Sequence, residues 1–300
     1  IAVNEKDEVL GFRGYFIIKF TVKSKDVLIA QLSDTVVSKN VRRMGIFQKM
    51  TNYSIKYLTE NNISFILNLS PSWPPYHGYK KMEFEDLANF HSKYKFNFIN
   101  ILKEKVLKKD RSHWKNHKNI EKNIKSHKYT IASNITKDIL SQLTSLNKSN
   151  ALHSSLTTAN LLWRTQRPNT IYIYAYALNN KGALITFLMF KSSNFYHYNL
   201  GLTLTNNTST IKPLMKLFRK TCKPSVIAAW DFATNATDRA VLKKIGMYTI
   251  PFINKIRKNP PGLVRTLQKH EDGKLNWIIN GIDIRDVNNW SISKFDLDSF

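Results

Sequence analysis

A chain of 300 residues that is 42% hydrophobic and 12% aromatic can bury one large core or two ordinary ones, which excludes wholesale disorder. Its 46 Lys and Arg against 21 Asp and Glu leave a formal net charge of +25. That excess suits anionic partners such as coenzyme phosphates, nucleic acid, anionic glycan or lipid, or simply lysine spread over the surface of a Lys-, Asn- and Ile-rich chain.

The single cysteine, Cys222, excludes a disulfide framework and suits a reducing, cytoplasmic compartment. It precedes Lys223-Pro224 with no His-bearing motif nearby, so it is not read as a nucleophile. No apolar run reaches membrane-span length, Gly182 to Phe190 being among the longest, and no signal-peptide pattern is present. The chain begins at Ile1 rather than Met, so its start carries no weight in this reading.

In chain order, Ile1 to Val3 begins a strand. Val9 to Phe20 reads as a second, with Gly11 and Gly14 as bend points, and Val27 to Val37 as a third. A basic turn, Arg42-Arg43-Met44-Gly45-Ile46-Phe47, leads into a helix in which Phe47, Met50, Ser54 and Leu58 follow helical spacing. Asn61-Asn62 closes it, since Asn tolerates the left-handed cap. Ile63 to Leu69 is a buried strand. Pro71, Pro74 and Pro75 are read as a loop before a short helical segment ending Tyr79-Lys80-Lys81-Met82-Glu83-Phe84. Strand, Gly-containing basic turn, helix, strand, short helix is the order of a phosphate-binding crossover unit.

Leu102 to Lys128 carries ten Lys or Arg against three acids, with His113, Trp114, His117 and His127 interleaved. It reads as a solvated linker or surface strand, or as a nucleic-acid or anionic-glycan patch. Its histidines lack the acidic or cysteine company of a metal site. From about Tyr129 a second series follows. Helices are expected over Thr136 to Asn147 and Leu156 to Arg164. An Asn179-Asn180-Lys181-Gly182 turn joins strands Ile171 to Leu178 and Ala183 to Phe190, and Phe195 to Leu204 is a third strand. Ile211 to Cys222 is a helix, Ser225 to Phe232 a strand, Thr237 to Ile245 a helix stopped by Gly246, and Met247 to Ile256 a last strand. The tail from Ile282 to Phe300 holds Asp283, Asp286, Asp296 and Asp298, with no second ligand cluster to make them a metal site.

The order and two short motifs resemble the GNAT (GCN5-related) N-acetyltransferase family. That family carries Arg/Gln-x-x-Gly-x-Gly/Ala after its fourth strand. Here the frame is Arg42 to Phe47, with Phe47 in place of the small residue. A second signature, roughly Phe-Tyr-x-Lys-x-Gly-Phe, reads Gly78-Tyr79-Lys80-Lys81-Met82-Glu83-Phe84, with Glu83 where Gly is usual. The second series repeats the same order, and Leu162-Trp163-Arg164 with Pro168 is similar to two-domain bacterial members. Its loop Thr205 to Thr210 has neither Gly nor Arg, so that copy is expected to be non-catalytic.

The resemblance implies a mixed α+β fold of two tandem GNAT-like units, each a largely antiparallel sheet flanked by helices. The expected organisation is 1–100 for the first unit, 101–128 for a basic linker, 129–260 for the second unit and 261–300 for a tail folded onto the body. The strand and two helices that usually open the family's fold are missing from the first unit, which leaves it incomplete or covered from elsewhere in the chain.

The activity implied is acetyl transfer from acetyl-coenzyme A to a primary amine, with an amino sugar of a surface glycan suggested by two-domain relatives. The backbone from Arg42 to Phe47, including Arg43, Met44, Gly45 and Ile46, would hold the pyrophosphate. Val36 and Val37 would pair with the pantetheine arm. Tyr79 matches the family's proton donor to the thiolate. Asp34 and His77 are the candidate bases, and no metal is implied. Two other functions remain open from sequence: aminoacyl transfer from charged tRNA, as in FemAB-like enzymes, and non-catalytic binding of nucleic acid or anionic glycan.

Overall fold

The computed structural model describes residues 1–89, 91–107, 119–146, 151–168, 170–194, 196–231, 236–251 and 260–297. His113, Trp114, His117 and Asp298 therefore lie outside the described residues, as does the second half of the strand expected over Met247 to Ile256. The chain divides into two compact units. Unit 1 comprises Ile1–Phe90, Asn150–Ser155 and Lys258–Ser291, and unit 2 comprises His91–Ser149, Leu156–Arg257 and Ile292–Phe300.

In unit 1 the β-branched and aromatic runs form the meander β1 (Ala2–Val3), β2 (Val9–Val22) and β3 (Lys25–Val37). Helix α1 (Ile46–Glu60) and strand β4 (Phe65–Asn68) follow, with Asn62 in the left-handed conformation between them. Helix α2 (Trp73–Lys80) starts earlier than the sequence suggested, since Pro74 and Pro75 lie in its first turn rather than in a loop. The missing proline N–H is no loss there, because first-turn N–H groups have no intrahelical acceptor. Strand β5 (Glu85–Ala88) ends this stretch.

Unit 2 contains β6 (Ser92–Phe96), α3 (Phe98–Leu107), β7 (Ile120–Ile124), β8 (His127–Ala132) and α4 (Lys137–Leu146). The described parts of the expected 101–128 linker are thus mostly regular structure, an α-helix and a hairpin whose first strand is exposed. After β9 (His153–Ser154), which belongs to unit 1, come α5 (Thr158–Thr165), β10 (Ile171–Leu178), β11 (Leu184–Asn194), β12 (His197–Thr205), α6 (Ile211–Cys222), β13 (Val226–Trp230), α7 (Ala236–Ile245) and β14 (Tyr248–Thr249). Unit 1 resumes with β15 (Gly262–Thr266) and the small β16–β17 hairpin (Ile278–Ile279, Ile282–Asp283).

Each sheet is mixed, and each carries a strand from a distant part of the sequence. The first runs β1-β2-β3-β4-β15-β5, with β9 on β2, and the second β14-β6-β13-β12-β11-β10-β8-β7. Residues 262–266, read from sequence as tail, are antiparallel to both β4 and β5. Residues 92–96, read as the end of the first unit, are antiparallel to both β13 and β14. The two insertions occupy equivalent places, between the strands that precede and follow α2 in the first unit and α7 in the second.

The face of the first sheet away from α1 is covered by chain from its far end. Trp290 is 1% exposed and meets Phe20 and Phe65 edge-on, with ring centroids 6.1 and 5.7 Å away. Its indole Nε1 donates to the Ile284 carbonyl at 3.0 Å.

In unit 2, Arg164 is buried and donates to the carbonyls of Leu297 at 2.6 Å and Asp296 at 3.4 Å, fixing the C-terminal segment. Asp238, in the first turn of α7, is half-buried. Burial and then the Asp296 carboxylate push its acid up to about 7, against the pull of Arg239. The folded state thus keeps a proton that an unfolded aspartate releases near pH 4. Its contribution to stability is full below about pH 4 and is lost as pH rises towards 7. Asp238→Asn is expected to remove this slope and to exceed the wild type by about 2–4 kcal/mol at pH 8 in urea unfolding, with little difference at pH 4. Parallel stabilities of the two proteins across that range would refute it.

Candidate active site

Three features of unit 1 meet around the end of β3. The first is a β-bulge. Arg13 faces Thr35 and Tyr15 faces Leu32, so Gly14 alone stands opposite Ser33 and Asp34. A bulge leaves one amide off the ladder and bends the strand. The second is a split. Strand β3 pairs with the parallel β4 only from Ile29 to Gln31, then continues to Val37 without it. That edge can accept an extended ligand as an added strand.

The third is the head of α1. Arg43 and Gly45 both take positive φ, 68° and 78°, and Gly45 is the N-cap with open space where a Cβ would stand. The first bond into the helix runs from Lys49 N–H to the Gly45 carbonyl. Among the described residues, none accepts from the six backbone N–H groups of Arg43 to Gln48. Unbonded N–H groups at a helix start, with the helix dipole behind them, suit an anion.

The predicted residues fall around this geometry unevenly. Val36 and Val37 lie on the free edge of β3. The Val37 carbonyl accepts from Arg42 Nε at 3.2 Å, so Arg42 braces the loop, and both Arg42 and Arg43 are exposed. Asp34 is exposed within the bulge, and its carboxylate has no hydrogen-bond partner among the described residues. His77 is exposed too, two residues before Tyr79 and so on another face of α2, near the rings of Trp73 and Tyr76.

Tyr79 is 3% exposed. Its ring meets Phe47 edge-on at 5.1 Å and Phe84 at 5.0 Å. Phe47, the large residue in a motif that usually has a small one, is accommodated by Gly78, where a Cβ would come within 2.7 Å of the Phe47 ring. Glu83 has φ 61°, a conformation that glycine adopts freely. It is held by an ion pair at 3.1 Å to the buried Arg265 of β15, which also donates to the Met82 carbonyl at 2.8 Å.

Sequence reading missed Arg13. It is 8% exposed and donates from Nε to Tyr15 Oη at 2.8 Å, from Nη1 to Thr35 Oγ1 at 3.2 Å and from Nη2 to Tyr79 Oη at 2.9 Å. The one local signal was an arginine between Gly11 and Gly14 in an otherwise aromatic and β-branched strand. Burial raises the Tyr79 phenol above its ordinary value, while the charge and hydrogen bond of Arg13 pull it down.

Unit 2 repeats the frame without the chemistry. Met189 faces Leu202 and Phe190 faces Leu200, so Gly201 bulges from β12, and β12 pairs with the parallel β13 only as far as Leu200. Ile292, Ser293 and Lys294 of the same unit line the small cavity between the separated strands, with Leu200, Thr203 and Trp230. The helix-entry N–H groups are occupied. Asn207 N–H donates to Thr205 Oγ1, Ser209 N–H to Asn207 Oδ1 and Thr210 N–H to the Asn207 carbonyl. Tyr79-Lys80-Lys81-Met82-Glu83-Phe84 has its counterpart in Leu242-Lys243-Lys244-Ile245-Gly246-Met247. Phe84 N–H bonds to the Tyr79 carbonyl as Met247 N–H bonds to that of Leu242, and Gly246 has φ 77° where Glu83 has 61°. The phenol is thus replaced by Leu242.

Neither a protein-family model nor a curated protein sequence matches the chain. Solved structures do. An Enterococcus faecalis protein described as a probable N-acyltransferase matches with TM-score 0.59 and 9% identity, over 86% of this chain and 59% of its own. A GCN5-related N-acetyltransferase from Anabaena variabilis matches with TM-score 0.57 and 8% identity, over 88% and 61%. The chain has the GNAT fold. Saccharomyces cerevisiae N-myristoyltransferase with bound myristoyl-CoA shares it more distantly, with TM-score 0.50 and 11% identity over 96% of this chain and 72% of that one. This chain spans about three fifths of the first two proteins. At such identities the likeness is one of fold, and the chemistry of this GNAT-fold chain rests on its own residues.

Proposed function

We propose that this chain is a coenzyme A-dependent N-acyltransferase, with acetyl as the acyl group and a primary amine as acceptor, an amino sugar of a surface glycan being the class favoured. The observation that carries this reading is the run of six unbonded N–H groups from Arg43 to Gln48 beside the β3–β4 split, in the one unit that also keeps a phenol at Tyr79. Anionic phosphates find donors there. The pantetheine arm then follows the free edge of β3 at Val36 and Val37.

The arm delivers the thioester towards the bulge, where an amide off the ladder can donate to the developing oxyanion. A neutral amine attacks the carbonyl, and holding both substrates side by side removes much of the entropic barrier. The C–S bond breaks and Tyr79 supplies the proton that the departing sulfur needs. Asp34, exposed in the bulge, is the candidate for taking a proton from the ammonium form of the acceptor.

Calorimetric titration of acetyl-coenzyme A tests the reading. Micromolar binding is expected to the wild type. An Arg43→Ala, Gly45→Trp variant is expected to bind at least about tenfold more weakly, or ~1.4 kcal/mol. No binding to the wild type, or equal binding to the two, would overturn it.

A further inference from the structure

We propose that Arg13 is a positioning residue for acyl transfer: it holds Tyr79 with its phenolic proton free for the departing sulfur and stabilises the phenolate left behind. This deepens the transferase reading above and rests on it.

The first argument is geometric. A guanidinium has N–H donors and no acceptor. Because Arg13 Nη2 donates to Tyr79 Oη at 2.9 Å, the phenol cannot spend its own hydrogen on that contact. Thr35 takes Nη1 of the same guanidinium at 3.2 Å. The phenol oxygen is thus held by a donor, and its hydrogen is left for a third group.

The second argument is electrostatic. A guanidinium more than nine-tenths buried is usually matched by a carboxylate, because an unmatched buried charge is costly. Among the described residues no carboxylate pairs with Arg13, whose hydrogen-bonded partners are the neutral side chains of Tyr15, Thr35 and Tyr79, and whose guanidinium lies 5.1 Å from the Phe47 ring centre. A site that keeps a cation without its counter-ion is matched to a negative charge formed during the reaction.

The third argument is internal comparison. In unit 2 the phenol has become Leu242, and the stretch of β11 beside the bulge, Leu188-Met189-Phe190, is apolar and buried. The cation and the phenol are absent together from the copy that lacks the open phosphate loop.

The step balances. The amine nitrogen bonds to the carbonyl carbon, and the C–S electron pair leaves on sulfur. The Tyr79 proton passes to sulfur to give the thiol, and Arg13 holds the phenolate. The proton shed by the acylated nitrogen then returns to Tyr79, so an amide and a thiol are the net products.

A ring-fluorinated tyrosine at position 79, whose phenol ionises at lower pH than tyrosine's, makes this measurable by fluorine NMR titration in the full chain. Arg13→Gln is expected to raise the ionisation of that phenol by about one pH unit or more, and Arg13→Lys to restore most of it. The affinity for coenzyme A, read by calorimetry in the same samples, is expected to stay within about twofold in both variants, since the phosphate loop is untouched. A phenol titration that does not move in Arg13→Gln, or that moves equally in Arg13→Lys, overturns the role of Arg13 whatever the affinity. If instead the phenol shifts as expected but the wild type does not bind coenzyme A, the transferase reading fails, and this role, which rests on it, falls with it.

Discussion

Tyr79→Phe is expected to lower kcat for thiol release from acetyl-coenzyme A, assayed with a panel of primary amines, by about 10²–10⁴. The KM for the donor should change little, because the proposed phosphate contacts lie at Arg43 to Gln48 and not at the phenol. Burial keeps the Tyr79 acid above its ordinary value in spite of Arg13, so it stays protonated and able to donate throughout the neutral range. No alkaline loss of rate from this group is therefore expected below about pH 10, its unperturbed value. Phe preserves the ring contacts with Phe47 and Phe84, so the loss measures the hydroxyl. Removing that hydroxyl also deprives buried Arg13 of an acceptor, which costs about 1–3 kcal/mol of stability. A Phe variant that retains full kcat would remove Tyr79 from the mechanism.

Trp290→Ala is expected to destabilise the protein by about 3–5 kcal/mol, as for other large buried aromatics. The indole is 1% exposed against Phe20 and Phe65, and no other described aromatic ring meets either of those two rings edge-on except each other. The chain on either side is fastened to Leu152, whose N–H donates to the Asn289 carbonyl at 2.8 Å and whose carbonyl accepts from Ser291 N–H at 2.7 Å. Losing the ring therefore opens a cavity that this tethered backbone cannot easily collapse. Trp290→Phe should recover about half of the loss, keeping apolar contact but not the bond from Nε1 to Ile284. Urea unfolding would show it, and a loss below about 1 kcal/mol would mean that Trp290 is not what closes this face.

Much of the local structure was legible in the residues. Ile171 to Leu178 and Ile211 to Cys222 are a strand and a helix with the very limits their apolar patterning gave, because a period of two or of 3.6 is a property of consecutive side chains. Gly45 marked the turn into α1 correctly in conformational terms, since a left-handed N-cap favours glycine. Pro74 and Pro75 misled because proline ends a helix from within but suits its first turn, and the sequence does not say which side of the boundary it marks. The pairing of Tyr79-Lys80-Lys81-Met82-Glu83-Phe84 with Leu242-Lys243-Lys244-Ile245-Gly246-Met247 was present in the sequence, but its meaning lay in the positive φ at Glu83, which no composition reports.

The sequence by itself therefore determined many of the helices and strands, that the same series occurs twice, and that only the first series has a glycine-bearing basic turn. Only the tertiary structure decided which strands share a sheet. Residues 92–96 and 262–266 have ordinary strand patterns, and nothing within five residues specifies a partner far along the chain, because ladder hydrogen bonds are made by backbone groups common to all residues. It also decided that Trp290 covers Phe20 and Phe65, and that Arg13 meets a phenol 66 residues away. Those contacts depend on side chains brought together by long-range packing, whereas sequence patterns report only the periodicity of neighbours.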